Sequence, residues 1–305
     1  MLLTGYADVQ TAIEAVNEGN IFRFLTKPCP PDVLFKALLA GIEQYRLITA
    51  ERELLEETLN GSIKVLSEVL SLLNPEAFGR ASRVSRYVKE IALQMELSKA
   101  WQLETAAMLS QIGCIVCPEE VLKKIYRGEE LTERESQLFD THPAIASHLV
   151  VHIPRMEEIA DIIAYQGKRF DGSGLPNDSR KGEHIPLGAR VLKVVLDFDM
   201  LEAAGCPKSN ALEQLKQRSG WYDPRALAAL ETVIAAEATC LIRAVTLQEL
   251  ETNMILAGDV RTVKGVLLIS KGHEVSRALL DRLTNIARIS GIQESIQVLI
   301  PQKTN

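Results

Sequence analysis

From about Phe78 to Val245 the apolar residues recur at helical spacing, and Ser, Thr or Pro stands near the helix starts this period implies. The run is interrupted by one glycine-rich loop, DGSGLP, at Asp171 to Pro176. A long stretch with that single period must bury itself helix against helix, which predicts an all-α domain at the centre of the chain.

The flanks have a different texture. Met1 to Gly5 is a short apolar run, and Ala12, Ile13 and Val16 then fall at helical spacing before the breakers Gly19 and Asn20. Ile21 to Thr26 is β-branched and aromatic and ends at Lys27-Pro28, after which Pro30 and Pro31 open a long helix. Strand, helix, strand in that order is half of a doubly wound α/β sheet. From Tyr45 the apolar positions Ile48, Leu55, Leu59, Leu66 and Leu73 approximate a heptad with Arg52 as a polar interruption, ending at Asn74-Pro75. That stripe reads equally as a coiled coil, as a helix shared between domains, or as a face packed on the chain's own core. Beyond Leu247, MILAGDV and GVLLISKG read as strands around a Val263 to Gly265 turn, Val275 to Ile289 as a helix and SIQVLIP as a last strand. A small α+β module is expected there.

Charge and composition narrow the function classes. Over 305 residues the formal net charge is -6, which provides no long-range attraction to phosphate backbones or anionic lipid, so no nucleic-acid or membrane partner is expected. No run approaches the roughly 18 consecutive apolar residues of a spanning helix; Ala226 to Val245 carries Glu231, Glu237 and Arg243. MLLTGYADVQ lacks a basic secretory n-region, and five cysteines in a chain this long do not make a disulfide framework. A cytoplasmic, reduced protein is the expectation.

The segment LTGYADVQTAIEAVNEGNIFRFLTKP resembles the last third of a response-regulator receiver domain. The resemblance implies that Thr4 and Lys27 occupy the hydroxyl and ammonium positions that contact a phosphoryl group, and that Phe24 occupies the aromatic switch position. The phospho-accepting aspartate and acidic pocket of that family lie upstream of this point, so the expectation is a truncated receiver that accepts no phosphate itself. An incomplete sheet exposes an edge that seeks a partner, and dimerisation through Met1 to Leu73 is expected.

The central region resembles the HD-GYP phosphohydrolases, cyclic-di-GMP phosphodiesterases, through HPAIASHLV, RFDGSGLP, GEHIPLGARVL and GWYDP, in that family's order and spacing. Such enzymes need two or three metal ions, because phosphodiester cleavage at neutral pH requires a metal-lowered water pKa and neutralised charge. The resemblance places those ligand positions at Arg80, Ser110, Gln111, His142, Gln166, Gly167 and Leu196, where His142 alone retains a ligand type. The GYP loop keeps Asp171, Gly172, Gly174 and Pro176 and has Leu175 for the tyrosine. No catalytic residue, metal or cofactor is therefore assigned, although Asp197 and Asp199 lie beside the Leu196 position.

Three other groupings each carry two readings. Cys114 and Cys117 form a CxxC that reads as core filler or, with His142, as part of a zinc site. His148 and His152 share a helix face at i, i+4, the geometry helical metal sites use, and with no carboxylate motif around them read as surface residues. Arg80, Lys168, Arg169 and Arg190 read as solvated or ion-paired arginines and lysine, or as an anion-binding cluster around the old metal pocket.

The expected protein is multidomain and mainly α. Residues 1–45 form a truncated receiver-like α/β segment, 46–61 a coiled-coil linker, 62–245 a degenerate HD-GYP-like helical domain and 246–305 a small α+β domain. The resemblances imply bacterial two-component or cyclic-di-GMP signalling, through signalling protein partners or a cyclic dinucleotide ligand. The alternative is a metal-dependent phosphohydrolase with an altered metal site.

Overall fold

The computed structural model describes residues 2–4, 24–73, 75–238 and 240–300. They fall into two compact units, Met1–Ser62 and Ile63–Asn305. No helix among the described residues is long and apolar enough to cross a membrane.

In the first unit β1 (Leu2–Thr4) and β2 (Phe24–Thr26) pair in parallel, with Thr4 opposite Thr26. The helix expected around Val9 to Val16, and Ile21 to Arg23 of the expected strand, lie outside the described residues. Helix α1 (Pro31–Leu73) opens on a proline whose fixed φ suits a first turn, with Asp32 beside it favouring the positive end of the helix dipole. Phe35, Leu38, Leu39, Ile42, Tyr45 and Leu47 along it are exposed. The heptad side chains from Ile48 to Leu59, and those of Leu66 and Leu73, lie outside what is described.

The second unit is built on helices α2 (Pro75–Gln94), α3 (Ala100–Leu109), α4 (Glu119–Arg127), α5 (Glu133–Asp140), α6 (His142–Val150), α7 (Glu157–Ala164), α8 (Leu187–Ala203), α9 (Lys208–Gln217) and α10 (Pro224–Ala238). Val84, Tyr87, Val88 and Ile91 repeat at helical spacing on α2 and are buried against α3, α8 and α10. Val191, Leu192, Val194, Val195 and Phe198 bury α8 on nearly all sides, and the Phe198 ring meets Tyr87 edge to face at 5.4 Å. Each such side chain contributes about 1.5–3 kcal/mol of burial. Helix α5 starts at a capping box: Thr132 Oγ1 accepts from the Glu135 N–H while the Glu135 carboxylate accepts from the Thr132 N–H.

The C-terminal module begins earlier than the helical period suggests. Residues Leu241–Val245, read in sequence as the end of the helical run, form β3, which pairs antiparallel with β7 (Ile296–Ile300). The local pattern cannot reveal that pairing because the partner strand lies at the far end of the module. The expected MILAGDV strand divides into β4 (Ile255–Leu256), which extends the sheet as β3-β7-β4, and β5 (Val260–Arg261), which pairs with β6 (Leu267–Ile269). Helix α11 (Arg277–Ser290) supplies Leu279 and Leu283 to the module's core with Val245, Leu256, Val275, Ile296 and Val298. The module also meets α2: Gly272, at φ 81°, brings its backbone so close that a Cβ there would lie 2.8 Å from Arg83 Cδ.

Candidate functional site

The four motif segments converge on one scaffold. Phe170 N–H donates to Trp221 O and Asp171 N–H to Gly220 O at 2.8 Å, which pins the DGSGLP loop to the GWYDP segment. Gly182 N–H donates to Phe170 O at 2.7 Å, and Arg190 holds the Ile185 carbonyl with Nε and pairs with buried Asp223 through Nη1. Within the loop, Asp171 Oδ1 accepts from Ser173 N–H and Oγ, contacts that hold its carboxyl below the usual range. Gly174 adopts φ 81°, and a Cβ would come within 2.6 Å of Gly167 O, so no other residue fits the turn. Lys168, 1% exposed, points under this loop and donates to the carbonyls of Pro176 and Asp178 at 2.7 and 3.0 Å.

A cavity of about 300 Å³ opens beside the scaffold, lined among others by Arg80, Gln111, His142, Gln166, Gly167, Arg169, Leu175, Lys193, Leu196 and Asp197. Six of the seven positions inferred for the metal ligands therefore line one space. The seventh, Ser110, is wholly buried behind it, donating from Oγ to Ala107 O and accepting Gln166 Nε2 at its carbonyl. Gly113 lets the 112–116 turn pass directly beneath α6, where a Cβ would sit 2.0 Å from His142 O.

The polar groups of the cavity are mostly bound to each other. Arg80 donates from Nε to Asp199 Oδ2 at 3.0 Å, from Nη2 to Leu196 O at 2.9 Å and from Nη1 to Gln111 Oε1 at 3.4 Å. Arg83, one turn along α2, reaches the other oxygen of the same carboxylate at 2.7 Å. His142 Nδ1 lies 2.6 Å from Phe139 O, and since a carbonyl only accepts, Nδ1 carries the proton. That leaves Nε2 as an acceptor, and Gln166 Nε2 stands 3.4 Å from it. Burial, reinforced by Arg80, lowers the imidazole pKa to about 4. Gln166 Oε1 is buried with no partner among the described residues. Asp197 is held by Lys193 at 2.9 Å and accepts the Tyr222 hydroxyl at 2.7 Å.

This donor set does not fit a dinuclear metal centre. The cavity offers one imidazole whose free nitrogen already faces an amide, a carboxylate tied to lysine and tyrosine, and a guanidinium where the resemblance places a histidine. Among the described residues no three His, Cys, Asp or Glu side chains come together as a candidate metal site. Asp199, the neighbouring carboxylate, faces the two arginines. Cys114 and Cys117 pack in a core with Val121, Leu122 and Ile125, and burial pushes the Cys114 thiol up to about 12. His148 and His152 are exposed on α6 and just past it, ring centroids 5.0 Å apart.

The anion-binding cluster is corrected by the same geometry. Lys168 and Arg190 are consumed by loop carbonyls and by Asp223, and neither lines the cavity, so the four cations do not form one group. Arg80 and Arg169 do line it, joined by Lys193, which the sequence reading missed. Arg169 lies with its guanidinium 3.5 Å above the Trp221 ring centroid. Asp199 as the shared partner of Arg80 and Arg83 was also missed, although both arginines stand three apart on one helix, and Leu196 and Asp199 three apart on another. The side chains of Thr4 and Phe24 are not among those described; Lys27 is exposed beside β2.

Residues 64–226 match the family model described as HD domain. Among curated proteins, the chain is 31% identical over 242 residues to the cyclic di-GMP phosphodiesterase response regulator RpfG of Xanthomonas campestris pv. campestris, covering 71% of this chain and 63% of that protein. It is 25% identical over 181 residues to the 3'3'-cGAMP-specific phosphodiesterase 3 of Vibrio cholerae, covering 56% and 38%. The chain thus spans less than two thirds of either relative. Similar solved structures are Bd1817, an HDG"Y"P protein from Bdellovibrio bacteriovorus (TM-score 0.45, 16% identity, 52% of each chain), and a cyclic GMP-AMP specific phosphodiesterase of V. cholerae (TM-score 0.46, 21% identity, 58% of this chain and 49% of that one).

Proposed function

Because the chain belongs to the HD-domain family, we propose that it is a signalling protein whose HD-GYP-like domain binds a ligand or a protein partner without hydrolysing a phosphodiester. The observation that carries this reading is the buried Arg80–Asp199 pair, which puts a cation where a metal-binding member of the family needs a ligand. The cavity keeps shape and polar groups: Gln111 and Gln166 line it, and Arg169 and Lys193 stand at the wall. A cyclic dinucleotide is the candidate ligand, on the strength of the relatives' names and of cations suited to phosphate.

The N-terminal segment we read as a receiver remnant. Its support is the Thr4–Thr26 parallel pairing beside Lys27 and the receiver-like sequence, with RpfG named a response regulator. The exposed Leu38, Ile42 and Tyr45 on α1 favour a homodimer through this segment and the helix that follows. The domain division at 45, 61 and 245 belongs to the same reading, with its last boundary moved to Cys240 by strand β3. Light scattering at several concentrations tests the dimer; a concentration-independent monomer sinks it.

A second reading is favoured by both curated relatives being named phosphodiesterases: a metal-dependent phosphohydrolase with an altered site. Incubating the purified chain with cyclic di-GMP and manganese or iron separates the two. The proposal expects calorimetric binding and no linear product. Hydrolysis that disappears in His142→Ala would overturn it.

A further inference from the structure

His148 and His152 stand one helical turn apart at the end of α6. The chain reaches His152 without leaving helical geometry: Val151 keeps φ -61° and ψ -22°, and its N–H donates to Ser147 O at 2.9 Å. Ala146 and Val150 are buried on the other side of this turn, so its backbone is anchored to the core while both imidazoles lie exposed.

The two rings meet edge to face, with centroids 5.0 Å apart and planes at 77°. Tetrahedral zinc–nitrogen bonds of about 2.0–2.1 Å set two ligating imidazoles at about that separation. The backbone thus already holds the rings at the distance where one ion bridges them. What remains is a rotation about the last side-chain torsion, which is broad for histidine. Apart from this ring contact, neither side chain makes a hydrogen bond or an ion pair among the described residues, so ring nitrogens of both are open to a ligand.

No acidic residue stands between Pro143 and Met156. In the helical two-histidine zinc motif of metalloproteases the neighbouring carboxylate is the general base, while the imidazoles hold the ion. Its absence here removes hydrolysis and leaves binding. Imidazole suits zinc, nickel and copper(II), whereas manganese stands at the weak end of the divalent series.

We propose that His148 and His152 together bind one late first-row divalent ion, zinc, nickel or copper(II), through one ring nitrogen each. No third His, Cys, Asp or Glu joins the pair among the described residues, so water completes the coordination. Neither histidine lines the HD cavity, and the site stands or falls independently of the function proposed above.

The test is a histidine-detected NMR titration of the full metal-free chain with zinc alone. Of the five histidines, His148 and His152 are identified by the signals missing in His148→Gln and His152→Gln, and His142 by the one missing in His142→Gln. Both members of the pair are exposed, and circular dichroism checks that their variants keep the parent's fold. The expected result is that the His148 and His152 signals move together on one saturable curve ending at one zinc per chain. In either single variant of the pair, the surviving histidine should need at least about ten-fold more zinc, because the second ligand of a chelate acts at the effective concentration its tether sets. Signals that saturate separately overturn the proposal, as does a surviving histidine that titrates as it does in the parent. Zinc that moves His142 and leaves the pair unmoved also overturns it, and favours the metal-dependent phosphohydrolase instead.

Discussion

Asp199 is fully buried and holds Arg80 on one oxygen at 3.0 Å and Arg83 on the other at 2.7 Å, both from the same face of α2. One carboxylate is thus shared by two guanidinium groups that water barely reaches.

Removing it should be expensive. Asp199→Ala takes the shared counter-charge from two buried arginines, and breaking a buried pair this way costs about 3–5 kcal/mol. Urea unfolding of the variant should show a loss of that order; a change no larger than that of a surface aspartate such as Asp161→Ala would show that the pair does not matter.

Stability should fall as the solution is acidified through the histidine range. His142 and His273 are both held near pKa 4 by burial, against about 6.5 in the unfolded chain. The unfolded chain takes up protons that the folded one refuses, so this stability is complete above pH 6.5 and is lost as pH falls towards 4. Between pH 7 and 5 the loss should be about 2 kcal/mol for each residue. Denaturation midpoints measured across that range should flatten by about half in His142→Gln; an unchanged slope would place the titration elsewhere.

Two glycines should respond in opposite directions to alanine. Gly113→Ala drives a Cβ into the His142 carbonyl and should cost about 1–3 kcal/mol, read as a lowered Tm. Gly61 lies inside α1 with nothing within 4 Å of the point a methyl group would occupy, so Gly61→Ala should stabilise the helix by about 0.5–1 kcal/mol. A Gly113→Ala protein as stable as the parent would mean the turn under α6 relaxes freely.

Metal removal should leave the fold untouched. With a donor set that does not fit a metal centre, neither EDTA nor added manganese should move the thermal midpoint, since an ion stabilises only what it binds. A saturable rise with manganese would show that the cavity holds a cation after all.

The helical core and the gathering of the cavity residues were legible in sequence, because the four motif segments keep their order and spacing and the structure brings them together. The fates of Lys168 and Arg190 were not. Their partners are loop carbonyls and Asp223, placed by turns at Gly174 and Gly182 that periodicity does not encode. Strand β3 was hidden for a related reason: Leu241–Val245 is defined by a strand that follows a whole intervening helix. The Asp199 pairing was readable in principle from i, i+3 spacing on α2 and α8, but only once those two helices were known to face each other.

The close seat of Gly272 on Arg83 has a mechanical consequence. Arg83 touches the C-terminal module with its aliphatic stem and grips Asp199 with its guanidinium, and Asp199 in turn anchors Arg80 at the cavity wall. Three side chains, Arg83, Asp199 and Arg80, thereby tie the small domain to the lining of a cavity to which it contributes no residue.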